Sequence, residues 1–121
     1  MQRIKRNKDP EQGTPKSLLT NFGIVEMYNR DLMVVCLGVN DYGVKTDMMV
    51  QITGDWPGDY MPLSYYDEFL NCVESDRNDD DVMFIYEVDS PTSVFLAFRN
   101  GITKDEFMKE YKPKIVWMRE E

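Results

Sequence analysis

The chain has 121 residues, of which 42% are apolar and 30% charged, and its net charge is −8. That length suits one domain and is too short for two independent cores, while the composition is that of a folded rather than a disordered chain. Histidine is absent, which excludes Ser-His-Asp, Cys-His and histidine–metal chemistry together and leaves carboxylates, Lys, Tyr and Cys for any catalysis.

Residues 1–16 carry Arg3, Lys5, Arg6, Lys8 and Lys16 against Asp9 and Glu11, a net charge of +3. Asp9 to Pro15 is turn-rich and free of apolar residues, so residues 1–16 are expected to form a flexible basic arm ahead of one α+β domain over residues 17–121. The arm lacks aromatic residues on which nucleic-acid bases could stack. No apolar segment follows its charges, as a secretory signal requires. No stretch reaches the roughly 18 to 20 apolar residues of a membrane span. The two cysteines, Cys36 and Cys72, read as buried free thiols, and no Asn-x-Ser/Thr acceptor occurs. A cytoplasmic protein is the expectation.

Ile24 to Tyr28 reads as a strand, and Asn29-Arg30 turns the chain into Leu32 to Val39. This second run is apolar on both faces and predicts a central, covered strand. Asn40-Asp41-Tyr42-Gly43 supplies turn chemistry. From Val44 to Ile52 apolar and polar residues alternate, as in a half-buried antiparallel strand. Thr53 to Asp59, with Pro57 between two glycines, cannot be regular structure. Ser64 as cap and the stripe Tyr66, Phe69, Leu70 and Val73 predict a helix.

Val82 to Val88 alternates again and, through Asp89 to Thr92, is expected to pair as a hairpin with Val94 to Phe98. Thr103 and Glu106 have capping-box spacing, and Ile102 with Phe107 fits a hydrophobic staple. A short helix to about Tyr111 follows, then Pro113 and a last strand, Ile115 to Met118. The resulting order is β-β-β-α-β-β-α-β: a mainly antiparallel sheet of about six strands with two short helices on one face.

Residues 55–89 hold eleven acidic residues against Arg77 alone, a net of −10. A potential of that sign attracts cationic partners and repels nucleic acid. Within this segment Asp55-Trp56-Pro57-Gly58-Asp59-Tyr60-Met61 sets large anchors beside carboxylates, although a Trp next to Pro also packs inward in many folds. The expected partner-binding residues are Asp55, Trp56, Asp59, Tyr60, Asp67, Glu68, Glu74, Asp76, Asp79, Asp80 and Asp81, forming one outward negative face.

Asp76, Asn78, Asp80 and Glu87 have the spacing of an EF-hand calcium loop after a predicted helix, but Asp81 stands where the sharp turn needs glycine. Asp89 with Glu110-Tyr111-Lys112 has the residue types of a metal-dependent nuclease, in a triplet short enough to arise by chance. The functional expectation is a non-enzymatic acidic binding protein, of inhibitor, anti-defence or immunity type, that recognises a basic protein surface through residues 55–89. Imitation of a nucleic-acid backbone is one form of this. No cofactor and no membrane partner are expected. The competing readings are an assembly subunit using the basic arm and a small carboxylate-dependent metal-binding protein.

Overall fold

A computed structural model describes residues 14–54, 56–74 and 78–119. Six strands form one antiparallel sheet: β1 (Ile24–Met27), β2 (Leu32–Asp41), β3 (Val44–Gln51), β4 (Tyr60–Pro62), β5 (Val82–Glu87) and β6 (Lys114–Met118). Their order across the sheet is β4-β3-β2-β1-β5-β6. Two helices, α1 (Pro91–Arg99) and α2 (Lys104–Tyr111), lie between β5 and β6. The α+β class, the antiparallel sheet and the two short helices agree with the sequence expectation.

The central strands are apolar on both faces because both faces are covered. Val25, Met33, Val35, Met49 and Ile85 pack with Leu63, Tyr66, Leu70 and Cys72 on one side. Ile24, Leu32, Val34 and Tyr86 pack with Val94 and Phe98 of α1 and Phe107 of α2 on the other. Both helices therefore cover the same face. Cys36 packs at this helical face and Cys72 in the core opposite, so no disulfide joins them. Burial raises the pKa of the Cys36 thiol.

Two elements differ from the expected order. The segment expected as a helix from Ser64 is instead a 3-10 turn, Leu63–Tyr65, followed by a loop closed by an isolated bridge between Tyr66 and Cys72. Asp67 turns its carboxylate onto the amides of Phe69 and Asn71, and Leu70 takes a left-handed φ of 61°. Such local side-chain bonds compete with helix formation. Tyr66 and Leu70 are buried as the stripe implied, but Val73 is 60% exposed.

The expected strand Val94 to Phe98 is part of α1. Pro91 stands at the helix start, where its missing amide proton costs nothing, and Val94 and Phe98, four apart, share the buried face. The sixth strand is β4, a three-residue edge paired to β3. The capping box at α2 is present, with Glu106 N–H donating to Thr103 Oγ1 and Thr103 N–H to Glu106 Oε1. The fold also begins earlier than residue 17: Pro15 is buried, and Lys16 donates through Nζ to Tyr66 O at 2.8 Å. Residues 1–13 of the expected arm lie outside the described residues.

Candidate functional site

Three connections meet at one end of the sheet. They are the β1–β2 turn over Asn29–Asp31, the β3–β4 loop over 52–59, and the 3-10 turn Asn78–Asp80 that leads into β5. Each is fixed by its own hydrogen bonds. Asn29 Oδ1 accepts from Asp31 N–H. Gln51 exchanges backbone bonds with the loop, donating to Asp59 O at 2.7 Å and accepting from Gly58 N–H at 2.8 Å. Gln51 Nε2 donates to Thr53 O and to Asp31 Oδ2. Tyr66 hydroxyl donates to Asp80 O at 2.6 Å, and Tyr28 N–H to Asp81 O at 2.8 Å.

Two adjoining depressions open between these connections. One, of about 320 Å³, is walled by Met27, Met33, Tyr60 and Met61 with Asp31, Asp59 and Asp80. The other, of about 610 Å³, lies among Asp31, Asp79 and Asp80, with Trp56 on its wall. They share Asn29, Asp31, Gln51 and Asp80. Trp56 is 69% exposed and Tyr60 52% exposed. The Trp–Pro turn thus holds its indole outward instead of folding it onto the sheet. The result is one continuous groove lined by four carboxylates and two exposed aromatic rings.

The remaining residues of the acidic stretch go elsewhere, and the single negative face spanning 55–89 does not form. Asp81 is fully buried and its Oδ1 accepts from Cys72 N–H at 2.8 Å, so it cannot meet a partner. Asp67 caps its own loop. Glu68 accepts from Thr14 Oγ1, and Glu74 is exposed beyond that loop. Glu87 and Asp89 follow β5 to the opposite end of the sheet. Asp55 and Asp76 lie outside the described residues.

The calcium-loop spacing fails for the same topological reason. The turn holding Asn78 and Asp80 passes straight into β5, whose six residues carry Glu87 more than about 15 Å away at about 3.3 Å per residue. Among the described residues no three His, Cys, Asp or Glu side chains are grouped to hold a metal. Glu110 of the nuclease-like triplet is exposed near the end of α2, and Lys112 takes the left-handed cap after it.

Asn29, Asp31 and Gln51, the polar side chains shared by both depressions with Asp80, lie outside the segment singled out from the sequence, because only strand pairing brings them there. A second carboxylate was also not foreseen. Glu26, in the middle of β1, is 4% exposed. Its Oε1 accepts from the Tyr86 hydroxyl at 2.8 Å, and its Oε2 faces Arg30 Nη1 at 3.4 Å and Lys104 Nζ at 3.5 Å. Burial, then the bond to Glu26, raises the Tyr86 pKa above its ordinary range. These donors come from β5, from α2 and from the exposed Arg30 of the β1–β2 turn, and the cluster ties β1 to β5 and α2. Its role is structural.

No family model matches the chain, and no curated protein or solved structure matches it. Among the described residues no helix is long and apolar enough to cross a membrane.

Proposed function

We propose that the chain is a non-enzymatic binding protein whose groove receives cationic side chains, arginine above all, from a basic protein surface. The observation that carries this reading is the convergence of Asp31, Asp59, Asp79 and Asp80 from three separate connections beside the exposed rings of Trp56 and Tyr60. A guanidinium can fork onto a carboxylate while its plane lies on an aromatic ring, which an ammonium does less well. Carboxylates supply steering and a fast encounter, and the rings slow dissociation. A chain of inhibitor or immunity type that covers the nucleic-acid-binding surface of a basic partner fits this chemistry.

The test is calorimetric titration with an arginine-rich model peptide, a lysine-rich one and an acidic control. The expected order is arginine over lysine, with no binding of the control. Added salt weakens the complex as the screening length falls from about 10 Å at 0.1 M to about 3 Å at 1 M. Asp59→Lys combined with Asp80→Lys costs about tenfold or more in affinity. Unchanged affinity in that folded variant, or a salt-insensitive complex, overturns the proposal.

A further inference from the structure

The two depressions of the groove differ in their walls. The larger is polar, with Asp31, Asp79 and Asp80 around it and the Trp56 ring on one side. The smaller, of about 320 Å³, is floored by methionine. Met27 closes β1, Met33 lies in β2 and Met61 in β4. Met33 pairs with Gln51, and Met61 with Met49 two residues earlier on the same strand, so both project to one face of the sheet. Met27 and Met33 belong to the core on that face, and Met61 packs against it. At this end of the sheet the core itself therefore reaches the surface.

Methionine suits such a floor. Its unbranched, polarisable side chain adapts to apolar groups of differing shape, and methionine recurs on surfaces that bind more than one partner. A space of about 320 Å³ stands at the small end of ligand sites, which run from about 300 to 1,000 Å³, and so takes a side chain rather than a whole helix. Asp31, Asp59 and Asp80 stand around it, and Asn29, Asp31, Gln51 and Asp80 also line the larger depression. One carboxylate-edged opening serves both spaces. What enters the smaller must belong to a molecule whose positive charge suits the larger.

We propose that the smaller depression is a second subsite, which takes a large apolar side chain (leucine, methionine or phenylalanine) lying within a few residues of the arginine held in the larger one. This rests on the reading of the groove as an arginine site. The feature recognised is then a pair, a cation for the carboxylates and an apolar neighbour for the methionines. Charge supplies the encounter and the orientation, while burial of the apolar side chain removes area from water and slows release. A partner with arginines alone leaves the methionine floor wet and binds less tightly.

Calorimetry on the full chain with a series of peptides tests it. The parent peptide is arginine-rich, with alanine at every other position, and each relative carries a single leucine next to, two from or three from the central arginine. The expected result is that at least one relative binds about tenfold more tightly than the parent. That advantage persists as salt weakens both complexes, because salt screens charge and not apolar burial. Met61→Gln removes the leucine advantage, and Met61→Leu keeps it. Leucine peptides no tighter than the parent overturn the subsite and leave the arginine site standing, whereas failure of the parent to bind overturns the arginine site and the subsite with it. A leucine advantage that vanishes with salt, or that persists in folded Met61→Gln, also overturns the proposal.

Discussion

Arg119→Ala removes the support of the loop that replaces the expected helix. The guanidinium donates to Val82 O (2.9 Å), Asn71 Oδ1 (2.7 Å), Phe69 O (2.9 Å) and Leu70 O (3.1 Å). It also lies 5.4 Å from the centre of the Trp117 ring. Truncation leaves acceptors of a buried loop without their donors, each costing about 1–3 kcal/mol if unmade. These costs are not additive, and breaking a buried charged network typically costs about 3–5 kcal/mol in total. Against a whole-domain stability of about 5–15 kcal/mol that is a large loss. It corresponds to a fall in Tm of roughly 10–20 °C. Urea unfolding followed by far-UV circular dichroism measures it, and hydrogen exchange should show the amides of Leu70 to Val73 opening first. Arg119→Lys recovers only part of the loss, because one ammonium cannot reach acceptors spread over a fork. A loss below about 1 kcal/mol, or full rescue by Lys, refutes the reasoning.

Tyr66 and Tyr86 both have pKa values pushed above the ordinary tyrosine range, chiefly by burial, with nearby Asp80 and Asp81 adding to Tyr66 and Glu26 to Tyr86. The folded state therefore holds these protons more tightly than the unfolded chain. Their stabilisation is complete below about pH 10, where free tyrosine titrates, and is lost as pH rises further. Stability measured against alkaline pH should fall there, and Tyr86→Phe should flatten the fall. Gly54→Ala should destabilise by about 1–3 kcal/mol and also weaken binding of the arginine peptide. Gly54 has φ 94°, and an added Cβ would come within 2.5 Å of Asp31 Oδ1 and 2.6 Å of Gln51 Nε2. Thr103→Ala should cost about 1 kcal/mol through loss of the capping box, read as a lower urea midpoint with an unchanged slope.

Elements specified by local pattern were legible in the sequence. The two-sided apolar run of β2, the Asn40–Gly43 turn, in which Gly43 N–H donates to Asn40 Oδ1, and the capping box of α2 each need only neighbouring residues. The misread elements depend on distant ones. Residues 66–73 have a helical stripe, yet their carbonyls meet the guanidinium of Arg119, about fifty positions away. Residues 91–99 are rich in β-branched and aromatic residues, and a strand reading outweighed the Ser90-Pro91 start signal that marks α1. The site was legible in part. Trp56, Asp59, Tyr60, Asp79 and Asp80 stood out by composition. Asp31 joined them only through the register that pairs β2 with β3, and Asp81 left them because its carboxylate caps a buried amide.

The central claim is that the groove between the β1–β2 turn, the Trp56 loop and the Asn78–Asp80 turn is the binding surface. Amide chemical-shift mapping during titration with the arginine-rich peptide tests it most directly. The account predicts that the largest shifts fall on residues 29–31, 51–60 and 78–80, together with the Trp56 indole N–H, and fade as salt is added. Shifts centred on Glu87 and Asp89, at the other end of the sheet, or spread evenly over the acidic surface, would contradict it.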